Sequence, residues 1–278
     1  MIQEKNTLQK EIQRRKRRRK IAVNALAIGG ALALFSLLGF VHHSQKNTIC
    51  RKLEIEIEDS NGQTYLDEKM IASLANQATS EIVGTEINDI KISAIHKKIS
   101  ENSTVKEAHV YTSVDGRCII HVKQRSPIAR IFNSNGTSFY LDQEGFTMAL
   151  SDLYTARVPV FVGNIDEKML DTSILTYSED AGFNEQSQLD DVFEFTKYLQ
   201  GNEFWQAQVE HVYINEDGEF VIVPRVGNHR INMGTATNLE EKFKKLMAFY
   251  ANTIHTRDLN QYSSILVEYD GQIVCVKR

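Results

Sequence analysis

The longest apolar run is IAVNALAIGGALALFSLLGFV, Ile21 to Val41, without a single charge. At ~1.5 Å per residue a helix of this length spans roughly 30 Å, the thickness of a bilayer's hydrocarbon core, so the pattern predicts a transmembrane helix. From Cys50 to Asp59 the pattern changes to strict alternation, with Leu53, Ile55 and Ile57 set against charged residues, which predicts a strand with one buried face. Helical spacing follows near Leu66 to Ala78 (Met70, Ile71, Leu74, Ala78) and again near Ile92 to Glu101 (Ile92, Ile95, Ile99). Two further strands, VKEAHVYTSV and RCIIHVKQR, meet at Asp115-Gly116, a pair suited to a two-residue hairpin turn. The predicted order over 50–123 is β-α-α-β-β, a small α+β unit.

Beyond Arg125 the apolar runs are short and turns arrive at strand-sized intervals, at Asn135-Gly136, Glu144-Gly145, Asp217-Gly218, Gly227-Asn228 and Asp270-Gly271. Residues 124–278 therefore read as a second, mainly antiparallel β unit carrying two helices. The first runs from about Gln188 to Leu199, with Ser187 and Asp190 placed as a capping box. The second runs from Leu239 to about His255, with Thr237 and Glu240 in the same relation and Leu239, Phe243, Leu246, Tyr250 and Ile254 along one stripe.

Charge supplies an orientation. Residues 1–20 hold nine Lys and Arg against two acidic residues, about +7, which leaves 23 basic and 34 acidic residues, −11, for the remainder. Seven of the cations, Arg14, Arg15, Lys16, Arg17, Arg18, Arg19 and Lys20, stand directly before the apolar run. Such a cluster is retained on the cytoplasmic side, so the predicted topology is single-pass: a basic tail (1–20) inside, a helix (21–41), and everything beyond exported. The acidic body argues against nucleic-acid binding, which needs a positive surface.

Chemistry is sparse. The eight histidines form no HExxH or HxH, and no GxSxG, Walker loop or glycine-rich phosphate cradle occurs. His109 and His121 flank the Asp115-Gly116 turn and are placed to face each other across it, which is too few ligands for a zinc site. Cys50, Cys118 and Cys275 have no metal-ligand spacing; a Cys50–Cys118 bridge and three free thiols are both compatible with the sequence. No catalytic residue, metal or cofactor is expected, and the chain is read as a binding protein rather than an enzyme.

The run VKEAHVYTSVDGRCIIHVKQRSPIARI closes the first unit with Val105, Lys106, Ala108, Val110, Arg125, Pro127 and Ala129 in a characteristic order. In this the unit resembles the POTRA domain of the bacterial division proteins of the FtsQ/DivIB family. The second unit is similar to the β domain of that family through PIARIF, FYLD, VPVFVG, the Trp205 to Ile214 segment, INMG and EKFKKL. It departs where the family carries Asp-Leu-Arg-Tyr and this chain has Leu266-Val267-Glu268-Tyr269. The resemblance implies a scaffold of the divisome in the bacterial inner membrane at the septum, binding FtsB/FtsL-like division proteins and other divisome components. A terminal strand at a sheet edge suits that role, and the candidate partner-binding residues are Glu268, Tyr269, Gly271, Gln272, Ile273, Val274, Cys275 and Val276, with Tyr269, Ile273 and Val274 as anchors. Two other classes also fit a tethered exported region: a single-pass envelope sensor, and an envelope hydrolase with an unrecognised site.

Overall fold

The computed structural model describes residues 29–30, 36, 48–59, 62–79, 81–177, 187–253 and 259–278. The basic tail and nearly all of the Ile21–Val41 segment lie outside the described residues; within that segment Gly29, Gly30 and Ser36 are helical and exposed. Among the described residues no helix is long and apolar enough to cross a membrane.

The first unit is built from β1 (Lys52–Glu58), α1 (Glu68–Ala78), α2 (Ile92–Ser100), β2 (Val105–Thr112) and β3 (Arg117–Gln124). Its three strands lie in the order β1-β3-β2, β1 parallel to β3 and β2 antiparallel to it. Both helices pack on one face of this sheet, where Ile71, Ala75, Ile95, Ile99, Ala108, Ile120 and Val122 form a continuous core. Asp67 starts α1 by accepting the Met70 N–H on Oδ1 at 2.7 Å. Met70, expected on the apolar stripe, is 41% exposed, and Ala75 is buried in its place. Cys50 and Cys118 are buried free thiols in the same core, and burial, with Cys50 nearby, pushes the Cys118 thiol up to about 11.

The second unit is a nine-stranded sheet: β4 (Pro127–Phe132), β5 (Ser138–Asp142), β6 (Thr147–Met148), β7 (Val160–Gly163), β8 (Val209–Ile214), β9 (Phe220–Pro224), β10 (Arg230–Gly234), β11 (Tyr262–Leu266) and β12 (Val274–Lys277). Their order is β12-β11-β10-β9-β8-β7-β4-β5-β6. The sheet is mainly antiparallel, as expected, with β4–β7, β7–β8 and β10–β11 as parallel pairs. Parallel neighbours require crossovers: α3 (Leu189–Gln200) and α4 (Glu203–Gln208) lie between β7 and β8, α5 (Leu239–Thr253) lies between β10 and β11, and the hairpin of β5 and β6 lies between β4 and β7. Among the described residues this unit thus has three α-helices where two were expected. The short α4, capped by the Asn202 side chain, brings Trp205 into the core, where it joins Phe195, Phe220, Phe243 and Tyr250.

The turns depart from the two-residue form in a common way. At Ser113–Arg117, Asn133–Thr137, Asp142–Phe146 and Asn215–Glu219 the first N–H donates to the last carbonyl, and Gly116, Gly136, Gly145 or Gly218 donates back to the first. Each glycine has φ between 76° and 90°. These are three-residue connections ending in a left-handed residue, which only glycine occupies without strain. Asp142 and Asn215 reinforce theirs, each accepting two turn N–H groups on one side-chain oxygen.

Neither expected capping box forms. At α3 the Gln188 N–H and the Ser187 hydroxyl both donate to Glu167, at 2.6 and 3.0 Å. That carboxylate, some twenty residues upstream, takes the place of Asp190; burial raises its pKa although these two hydrogen bonds oppose the shift. At α5 the Thr237 hydroxyl pairs with Thr235 at 2.8 Å, and Asn238 enters the helix at φ 51°. Ile254 and His255 lie outside the described residues.

The candidate partner-binding edge

The C-terminal strand β12 is the last strand of the large sheet, and among the described residues it pairs only with β11, which leaves its outer side an open edge. Ser264 and Leu266 face Val276 and Val274 across this pair. The Arg278 N–H donates to the Gln261 carbonyl at 3.0 Å, so alternate residues of β12, Val276 and Val274, turn their backbone groups toward β11. The amide and carbonyl of Lys277 therefore point away from β11. An edge of this kind is a template for an added strand.

Side chains on the edge separate by face. Val274 and Val276 are 39% and 47% exposed, whereas Cys275 and Ile273 pack against the helix-covered core. Ile273, one of the three expected anchors, thus points inward. Its place among the exposed apolar residues goes to Val276.

The preceding loop sets the other candidates. Gly271 makes the turn at φ 69°, and Gln272 is exposed. Tyr269 is 45% exposed, and its carbonyl accepts a bond of 2.6 Å from Lys245 on α5. Its phenol is shifted upward by a hydrogen bond to Glu268, whose negative charge opposes ionisation. Glu268 itself is half-buried over Gly234.

Beyond the edge a row that is apolar except for Asn232 continues across the sheet. Val162, Tyr213, Val221, Asn232, Leu266 and Val274 are direct cross-strand partners on six successive strands. They lie opposite the face that Phe161, Val212, Ile222, Ile231 and Ile265 present to the helices. Tyr213, Val223, Val274 and Val276 on this uncovered face are all at least 39% exposed. Sequence reasoning missed this row, because a half-exposed valine or tyrosine carries no signal until its neighbours on other strands are known.

Two models of protein families match the chain. A POTRA-like domain matches residues 48–123, and the FtsQ/DivIB C-terminal related domain matches residues 126–276, more than half of the sequence. The chain belongs to the FtsQ/DivIB family. A comparison with curated proteins found no match. FtsQ/DivIB proteins are membrane-anchored and associated with cell division, and enzymatic activity is not a general property of the family.

His109 and His121 are cross-strand partners with ring centroids 6.4 Å apart, on the face away from α1 and α2. Among the described residues no group of three or more His, Cys, Asp or Glu is placed to hold a metal ion. A polar cleft of about 670 Å³ opens where β7 begins, lined by Gln143, Arg157, Gln206, His211 and Arg225 among others; no serine or cysteine lines it, and Glu210 is its one carboxylate.

Proposed function

We propose that this chain is a membrane-anchored scaffold of the bacterial divisome that captures the periplasmic part of an FtsB/FtsL-like partner on the β12 edge. The observation that carries the reading is the open edge itself, continuous with an uncovered apolar row. A partner strand added antiparallel or parallel to β12 engages the outward backbone groups of Lys277. Each such bond nets only about 0.5–1.5 kcal/mol, against an association cost of several kcal/mol. Backbone pairing by itself is therefore too weak, and the apolar anchors Val274, Val276, Leu266 and Tyr213 supply the rest, with Tyr269 at the turn.

The membrane part of the proposal rests on the sequence: the cation cluster Arg14–Lys20 before an uncharged 21–41 segment holds the tail in the cytoplasm and exports the folded units. Division at the septum is then a matter of recruitment through a large exported surface.

Photocrosslinking in cells from positions 269–276, with identification of the captured protein, tests this directly. A small coiled-coil division protein is the expected product. Truncation after Asp270 should abolish capture while leaving membrane insertion unchanged, and full-strength capture by the truncated chain would refute the edge assignment.

A further inference from the structure

The two sheets are joined by only Arg125 and Ser126, a link short enough to act as a hinge, yet the contacts around it are not those of a hinge. The Arg125 amide donates to Thr104 of the first unit at 2.9 Å, while its side chain reaches into the second. There Nη1 lies 2.8 Å from Asp142 Oδ2, and the guanidinium carbon sits 3.8 Å above the Phe146 ring. The side chains of this pair are only 11% and 2% exposed, by far the most buried ion pair among the described residues. Asp142 is itself held in place by the Glu144 and Phe146 amides. A planar, forked cation that both pairs and stacks has one geometry, so it sets direction as well as distance.

Contacts on other strands remove the remaining freedom. Lys106 of β2 meets Glu144 at 2.5 Å. Gln124 Oε1 accepts the Tyr65 and Leu66 amides, at 2.6 and 2.9 Å, and so fixes Tyr65 at the end of the first unit. The Tyr65 ring packs edge-on against Tyr140 and Tyr154 of the second unit, and its carbonyl accepts from Ser151 at 2.7 Å. The Ala149 amide donates to Ser103 at 3.1 Å. Tethers thus flank the Arg125–Ser126 link on separate elements, and rotation about that link breaks several of them together.

We infer that Arg125 is a positioning residue that locks the two units into one rigid arm, holding the β12 edge at a set distance and orientation from the first unit. The rigid arm stands on the junction alone; its consequence for partner capture rests on the edge proposal above.

The test uses the full chain in lipid nanodiscs with spin labels introduced as unnatural amino acids at exposed Lys97 and Asp217, one in each unit. Pulsed EPR should return one narrow distance distribution for the native chain and a clearly broadened one for Arg125→Ala, with circular dichroism unchanged. A broad distribution in the native chain, or one equally narrow in Arg125→Ala, overturns the inference. If Arg125→Ala does not fold, Arg125→Lys keeps the charge but removes the fork and the stack on Phe146; broadening supports the inference, and an unchanged width overturns it. Photocrosslinking from β12 in cells separates the two proposals. A narrow native distribution with no capture at all means that the edge assignment fails while the rigid arm stands.

Discussion

Nε2 of His229 lies 2.7 Å from the hydroxyl of Tyr250, tying the start of β10 to α5, while Nδ1 of the same ring is buried without a hydrogen-bond partner among the described residues. His229 is 2% exposed. Burial holds its pKa below the ordinary value of 6.5, and the positive Arg278 nearby acts in the same direction. Burial likewise keeps the Tyr250 phenol protonated far into the alkaline range.

Acid should therefore weaken the β domain through His229. The folded state favours the neutral ring, so this contribution is complete above the unfolded value of about 6.5 and is lost as the pH falls through it. Glu167 and Asp191, both raised by burial, have the opposite sign at lower pH and are common to any His229 variant. Between about pH 7.5 and pH 5.5 the native chain should lose more thermal stability than His229→Gln does. Calorimetry at the two pH values measures the difference; parallel losses would remove His229 from the account.

Proline distinguishes the two sides of β12. At Lys277 it removes an outward N–H and leaves the ladder with β11 intact, so partner capture should fall while the melting temperature changes little. At Val276 it removes an inward N–H, and stability should fall as well. Pull-down of the partner alongside thermal melts checks both; equal destabilisation by the two substitutions would contradict the assigned alternation.

The aromatic core should tolerate little. Phe243 has no exposed surface and packs against Phe195, Tyr198 and Trp205 at centroid distances of 4.6 to 5.6 Å. Phe243→Ala should cost about 3–5 kcal/mol, read from the denaturant midpoint with the slope unchanged. A loss below about 1 kcal/mol would mean that the site collapses around the smaller side chain.

Gly163 ends β7 at φ 112°, where an added Cβ would strike the Ile214 carbonyl oxygen and the Tyr213 ring. Gly163→Ala combines backbone strain with this clash, so it should destabilise by at least about 1–3 kcal/mol. Because Tyr213 belongs to the uncovered row, partner capture should weaken too. Unfolding curves and crosslinking yield from β12 test the two effects separately.

Much of this architecture is local and was legible in the chain itself. The alternation of Leu53, Ile55 and Ile57 becomes β1, the Ile92, Ile95 and Ile99 spacing becomes α2, and each Gly that follows Ser113, Asn133, Asp142 or Asn215 by three residues closes a hairpin. Periodicity and turn chemistry act over a few residues, so they survive without knowledge of the partners. The order of most elements followed from them, α4 excepted, while the resemblance to the FtsQ/DivIB family rested on the motifs themselves.

What faces what was decided only in three dimensions. That β10 and β11 run parallel, that Glu167 rather than Asp190 meets the start of α3, that Arg125 stacks across the junction, and that Ile273 turns inward while Val276 does not all depend on segments distant in sequence. The physical reason is that strand neighbours and buried charge partners are selected by which apolar faces can be covered at once. A single strand's own pattern specifies that it has a buried face, but not which strand or helix will cover it.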